Sequence, residues 1–239
     1  PEPATLVAEL LRGNVDITTY LTGKDVDRVQ RDPATRVVIQ NSTTSIYLAI
    51  NTSADNYPYN DVRIRWAIAH AINREAIVKV AEFGIAEPIH TLLAPTEIGF
   101  WPPSEDVART YTEYNPDLAK ELLEQAGWTD TNGDGIREKG GEPLTLEFLA
   151  FNIARFERIA KMVQPMLQDV GFKVNLEILE PGDLYERTLR GEHDLLCTSY
   201  VVSQGFAVDD LIATVHSKSL GTVPAWFLYS NPAMDLLLD

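Results

Sequence analysis

The chain has 239 residues, of which 45% are hydrophobic, enough to bury the core of one large domain or two small ones. Its 20 Lys and Arg against 35 Asp and Glu give a formal net charge of −15, which argues against nucleic acid or an anionic membrane surface as a partner. The single cysteine, Cys197, excludes an intrachain disulfide and a cysteine-cluster metal site, and no apolar run is long enough to span a membrane.

The first fifty residues contain short apolar patterns separated by Gly, Asp and Pro. Leu and Val at helical spacing indicate helices, and β-branched and aromatic residues indicate strands. In chain order these patterns predict a helix over 4–12, a strand over 15–17, a helix over 24–30, and strands over 36–39 and 45–50.

A long amphipathic helix is predicted after residues 57–61, where Asn60 or Asp61 can cap its first turn. Its apolar residues are spaced three and four apart, so they fall on one helical face: Ile64, Ala67, Ile68, Ala71, Ile72 and Ile77. The segments 83–88 and 95–103 are rich in Pro and Gly and are predicted to be loops.

In the second half, strands alternate with helices after short turns. The predicted helices are 116–126, 155–169, 181–190 and 209–215, and a last one begins after Pro232. The predicted strands are 143–150, 172–178 and 194–200, with a polar turn over 130–142. This alternation predicts an α/β fold built in layers.

Four blocks of the chain resemble one family in amino-acid sequence and in order: residues 57–80, 114–128, 158–174 and 191–194. The second block reads Tyr-Asn-Pro-Asp-Leu-Ala-Lys-Glu-Leu-Leu-Glu-Gln-Ala-Gly-Trp, and the last reads Gly-Glu-His-Asp. They resemble the extracytoplasmic solute-binding proteins, family 5, of ABC importers, whose members capture oligopeptides, dipeptides, nickel chelates or oligosaccharides.

The resemblance implies a periplasmic-binding-protein-like (type II) lobe with a mixed sheet flanked by helices, and a binder that is not an enzyme. Residues 1–45 would be a remnant of a first lobe and the crossover, and residues 46–239 a second, ligand-binding lobe truncated at its C-terminus. The implied partners are a peptide or other small solute, a membrane ABC permease and the missing first lobe. The implied location is the periplasm or the extracellular face of a bacterial membrane.

In peptide binders of this family, the loop after the strand at 194–200 carries an aromatic residue and then an aspartate that holds the ligand's α-amino group. The corresponding candidates here are Tyr200, Ser203, Gln204 and Phe206, with Ser203 or Gln204 near the place of the aspartate. A neutral side chain gives no charge-assisted pairing to an ammonium, so this departure favours neutral ligands such as sugars or capped peptides.

Further ligand-binding candidates lie in two other loops. Asn152, Arg155 and Arg158 follow a predicted strand, at the carboxyl end where open α/β sheets bind ligands. Trp101, in the proline-rich loop, could stack on a sugar ring or a peptide side chain, although anchoring of the loop is the more ordinary role of such a residue.

A calcium site is a second interpretation of one segment. Asp130, Asn132 and Asp134 occupy the first, third and fifth positions of a calcium-loop pattern, with Glu138 at the ninth. The twelfth position, which should be glutamate, is Gly141. A tight polar turn is therefore favoured over a calcium-stabilised structural module, and no cofactor is expected.

A hydrolase is the third interpretation. Its acid/base or metal constellation would consist of His193, Asp194, Asp209 and Asp210. The sequence contains no nucleophile-elbow, phosphate-loop or dinucleotide-binding pattern that would support it.

Overall fold

The computed structural model describes residues 3–19, 21–201, 207–222 and 225–239 of a mixed α/β chain. The chain forms two compact units, one of Pro1–Asn41 with Glu75–Pro88 and one of Ser42–Arg74 with Ile89–Asp239. The predicted division into a first-lobe remnant and a second lobe stays a prediction.

The helices are α1 (Pro3–Leu11), α2 (Gly23–Gln30), α3 (Val62–Ala71), α4 (Arg74–Val80), α5 (Glu105–Thr112), α6 (Pro116–Gln125), α7 (Ala154–Gln168), α8 (Pro181–Leu189), α9 (Ala207–Val215) and α10 (Pro232–Leu238), with a 3-10 turn at Ser217–Ser219. The strands are β1 (Thr44–Ile50), β2 (Glu138–Lys139), β3 (Glu142–Pro143), β4 (Thr145–Phe151), β5 (Lys173–Leu179) and β6 (Leu195–Val201).

The first unit contains α1, α2 and the segment Glu75–Pro88. Val7 and Val29 are fully buried in it. A Cβ added to Gly23, at the start of α2, would lie 2.3 Å from the Cβ of Phe83. Only glycine allows the helix to approach Phe83 this closely.

The second unit contains a four-stranded sheet in the order β1-β6-β4-β5. Strands β6, β4 and β5 run parallel, while β1 runs antiparallel to β6. Phe148, Leu149 and Ala150 are fully buried in the central strand β4, and α7 contributes Val163 and Leu167 to the same core. A central strand buried on both faces is typical of a parallel sheet covered by helices, which confirms the predicted fold class.

Two predicted strands are wrong. Residues 15–17 and 36–39 have no strand structure, and Ile17 (83%) and Val38 (64%) are largely exposed. β-branched residues favour an extended chain only where a neighbouring strand and a buried face are available, and no described strand pairs with either segment.

The predicted long helix is two helices. Ile72 has extended backbone angles (φ −99°, ψ 115°), so α3 ends at Ala71 and α4 begins at Arg74. Helix α5 lies where no element was predicted, and it is capped by the Ser104 side chain, which accepts a hydrogen bond from the Val107 amide. Among the described residues, no helix combines the length and apolarity needed to cross a membrane.

Candidate functional site

The parallel strands end together at one side of the sheet. Phe151, Leu179 and Val201 are the last residues of β4, β5 and β6, and Thr44, the first residue of β1, pairs with Val201. We call this side the carboxyl edge. Helices α7, α8 and α9 begin there or shortly beyond, so the amides of their first turns lie near the place where open α/β sheets bind ligands.

Asn152 lies at the carboxyl edge, as predicted. Its backbone amide donates to the Leu179 carbonyl (2.7 Å), and its side-chain amide donates to the Glu180 carboxylate (2.6 Å). These two bonds join the ends of β4 and β5 through one residue. The side chain of Asn152 is nevertheless exposed, so it remains within reach of a solute.

Arg155 and Arg158 lie in the first turns of α7, directly after Asn152. Arg155 is exposed and Arg158 is half-buried. The Ile153 residue that precedes α7 offers no side-chain cap. The first turns of α7 thus carry two guanidinium groups beside the positive end of the helix dipole, together with the carboxylate of Glu157.

The remaining predicted ligand-binding residues have mixed outcomes. Tyr200 lies in β6, paired in register with Ser45, while Ser203, Gln204 and Phe206 lie outside the described residues, and their predicted role stays a prediction. Trp101 is 87% exposed, so it does not anchor its loop.

Glu97 is a residue that the sequence did not single out. It is only 6% exposed, although Pro95, Thr96, Ile98 and Gly99 around it are exposed. One carboxylate oxygen, Oε1, accepts a hydrogen bond from the Ala94 amide. No described residue donates a hydrogen bond to the other, Oε2.

The loop that carries Glu97 is fixed to the carboxyl edge on both sides of this residue. The Thr96 hydroxyl donates to the Ser42 carbonyl (2.8 Å), just before β1. The Ala207 amide, at the start of α9, donates to the Ile98 carbonyl (3.0 Å). The only sequence signal was one acidic residue in the Pro- and Gly-containing segment 94–100, which does not reveal burial.

The predicted hydrolase constellation does not form. His193 and Asp194 precede β6, whereas Asp209 and Asp210 lie in α9, beyond its other end. Strand β6, roughly 20 Å long at the rise of an extended strand, places the two pairs at opposite ends of the sheet. Groups so far apart cannot act on one substrate atom.

The aspartate-rich turn brings three carboxylates together. Ligand atoms of Asp130, Asp134 and Glu138 all lie within 4.8 Å of one another. The Asn132 side-chain amide donates to Asp134 (3.1 Å) and to Glu138 (3.0 Å), so Glu138 joins the predicted set.

The carboxylates of this turn are already engaged by the chain. The Asp130 carboxylate accepts hydrogen bonds from the amides of Gly133 (2.7 Å) and Gly135 (3.0 Å). These bonds lower the pKa of Asp130, and the bond from Gly133 has the larger effect. Glu138 accepts the amide of Thr131 (2.9 Å). The turn is thus held by hydrogen bonds between its own residues.

A scan against family models matches residues 1–220 to the bacterial extracellular solute-binding proteins, family 5. The chain belongs to this family. Its similarity to the nickel-binding periplasmic protein of Escherichia coli K12 is 28% identity over 82% of the chain and 37% of the relative. For the oligopeptide-binding protein AppA of Bacillus subtilis it is 31% identity over 78% of the chain and 34% of the relative.

The fold agrees with a solved structure of the same family. The structure of AppA from Bacillus subtilis in complex with a nonapeptide superposes with a TM-score of 0.80 at 26% identity, covering 100% of this chain and 46% of the other. The chain therefore spans about a third of the length of the curated relatives and less than half of this solved chain.

Proposed function

We propose that the protein is the substrate-binding component of an ABC importer. It would capture peptides or other small polar solutes outside the cytoplasmic membrane, in the periplasm or at the cell surface, and deliver them to a membrane permease. Membership of the solute-binding family supports this role, and the relatives are named for binding oligopeptides and nickel.

The structural support for the proposal comes from the carboxyl edge. It combines an exposed amide side chain at Asn152, an exposed guanidinium at Arg155 and the start of α7. Such polar groups at the ends of parallel strands can bind a small solute without any catalytic group. The separation of His193 from Asp209 along β6 argues further against an enzyme.

A thermal-shift screen tests the proposal with the protein produced from its full gene. The ligand panel contains di- to pentapeptides, oligosaccharides and nickel chelates. A ligand at a hundred times its Kd should stabilise the folded protein by about 2.7 kcal/mol, so one class should raise the melting temperature by several degrees.

Two matched variants locate the site. Arg155→Ala should reduce the response, whereas Arg109→Ala, which removes an exposed arginine of α5 paired with Asp106 (3.5 Å), should leave it unchanged. A protein that none of these solutes stabilises, or one that converts a bound solute into product, would overturn the proposed function.

A further inference from the structure

The contacts of the buried Glu97 carboxylate account for only one of its two oxygens. Its Oε1 accepts one backbone amide, but no described residue donates to Oε2, and the side chain is 6% exposed. An ionised carboxylate withdrawn from water is costly unless it is paired, so proteins rarely keep one without a partner. The missing partner is a donor that the described residues do not supply.

The position of Glu97 indicates where that donor comes from. The loop is joined to Ser42, just before β1, and to Ala207, at the start of α9, and both residues flank the carboxyl edge. Because the residues on either side of Glu97 are exposed, its carboxylate lies just below the protein surface.

A second polar atom at the same corner lacks a described partner. Ser45, the second residue of β1, is 4% exposed, and no described residue hydrogen-bonds its hydroxyl. It pairs in register with Tyr200, the last residue but one of β6, so it lies at the carboxyl edge of the sheet. A hydroxyl can accept a hydrogen bond from a cationic donor, and an ammonium offers three donors.

We infer that Glu97 binds a cationic group of the captured solute, a primary ammonium, at the corner of the carboxyl edge formed by β1, β6 and α9. This inference rests on the proposed function and specifies the chemistry of its ligand. It also reverses the preference for neutral ligands that the uncharged Ser203 and Gln204 suggested. The negative charge would come from a different loop.

The test compares the protein from its full gene with Glu97→Gln, which keeps the size of the side chain and removes its charge. The control is Glu105→Gln, which removes an exposed charge from the first turn of α5. The probes are Ala-Ala-Ala, N-acetyl-Ala-Ala-Ala and N-acetyl-Ala-Lys-Ala, with binding measured by calorimetry. The third probe separates a side-chain ammonium from the peptide amino terminus.

The wild type and the Glu105→Gln control should bind one of the ammonium-bearing peptides at least about 30-fold more tightly than N-acetyl-Ala-Ala-Ala. In Glu97→Gln this preference should fall below about 3-fold, while affinity for N-acetyl-Ala-Ala-Ala, which has no ammonium, should hold. A preference that survives in Glu97→Gln overturns the inference and leaves the proposed function intact. Wild-type binding of neutral solutes alone has the same consequence.

A ligand-free measurement tests Glu97 independently. If its charge is unpaired in the empty protein, Glu97→Gln should melt at the same temperature as the wild type or above it. A melting temperature lower by more than about 4 °C would show that the carboxylate is paired for stability, and would overturn the inference. A wild type that binds none of the solutes in the wider screen overturns the proposed function, and the inference with it.

Discussion

The two ends of the four-stranded sheet differ in how their buried polar groups are paired. At the amino end of the parallel strands, the Asp194 carboxylate accepts the Glu147 amide (2.7 Å), and the Asn51 amide donates to the Asp194 carbonyl (3.0 Å). Arg137, at the same end, is 8% exposed and donates to the carbonyls of Val170 and Trp128 (2.9 Å each).

At the carboxyl edge, in contrast, Glu97 keeps one oxygen to which no described residue donates. The amino end has comparable atoms in Nδ1 of His193 and Nε1 of Trp226. Burial lowers the pKa of this histidine, so its ring is neutral at pH 7, and neither atom is an unpaired charge. This difference supports the proposal that the carboxyl edge, and not the amino end, binds the ligand.

The largest expected effect is at the amino end. Arg137→Met keeps the apolar part of the side chain but leaves the Val170 and Trp128 carbonyls without their donor. We expect the free energy of unfolding to fall by about 4 kcal/mol, because each carbonyl loses a charge-assisted hydrogen bond in a buried place. Urea denaturation measures this change.

Arg109→Met, at an exposed position of α5, provides the control and should change the stability by less than about 0.5 kcal/mol. The comparison between the two ends also requires that folded Arg137→Met bind its solute with the wild-type affinity. Equal stability of the two variants, or a loss of solute affinity in Arg137→Met alone, would show that the ends are not divided in this way.

The next effect is a pH dependence at Asp194. Burial raises the pKa of this carboxyl group from 3.8 to about 6. The folded state therefore binds the proton more tightly than the unfolded state, and the associated stability is fully present below pH 3.8 and is lost as the pH rises through about 6. The change amounts to about 3 kcal/mol at the usual conversion from pKa to free energy.

Asp194→Asn should remove this pH dependence and keep the bond from the Glu147 amide, because the Asn oxygen can still accept it. Relative to the wild type, the variant should gain stability between pH 4 and pH 7. Chemical denaturation at several pH values checks this. A difference between the two proteins that does not vary with pH would show that Asp194 is charged at no cost in the fold.

Much of this architecture could be predicted because its signals are local. Helix caps such as Asn115, and the alternation of strands and helices from β4 to α9, predicted most elements of the second unit. Segments 15–17 and 36–39 were misjudged because a strand depends on a partner that sequence does not reveal. Helix α5 was missed directly after a proline-rich stretch, although Ser104, Glu105 and Asp106 form a typical helix start.

The candidate site was predicted in part for the same reason. Asn152 and Arg155 were identified because they follow a strand directly, and strand ends meet at one edge of a parallel sheet. Glu97 lies far along the chain from every strand of that edge, in a loop with no periodic pattern. Its burial depends on tertiary contacts with Ser42 and Ala207, which no local rule supplies.

The smallest expected effect concerns the aspartate-rich turn, where the Asp130 carboxylate accepts backbone amides through both oxygens, whereas Glu97 does so through one. Asp130→Ala removes the acceptor for the Gly133 and Gly135 amides and should lower the melting temperature by about 2–4 °C. Because these bonds lower the pKa of Asp130, the difference from the wild type should be present above pH 4 and fade as the pH falls through the folded-state pKa.

Calcium provides the control for this last comparison. The turn lacks a glutamate at the twelfth position of the loop, where Gly141 stands, and its oxygens already accept backbone amides. Calcium at about 1 mM should therefore leave the wild-type melting temperature unchanged, since loops without the bidentate ligand bind weakly. A melting temperature that rises with calcium in the wild type, but not in Asp130→Ala, would instead show that the three carboxylates bind a cation, as we infer for Glu97. The turn would then be a ligand site, like the carboxyl edge.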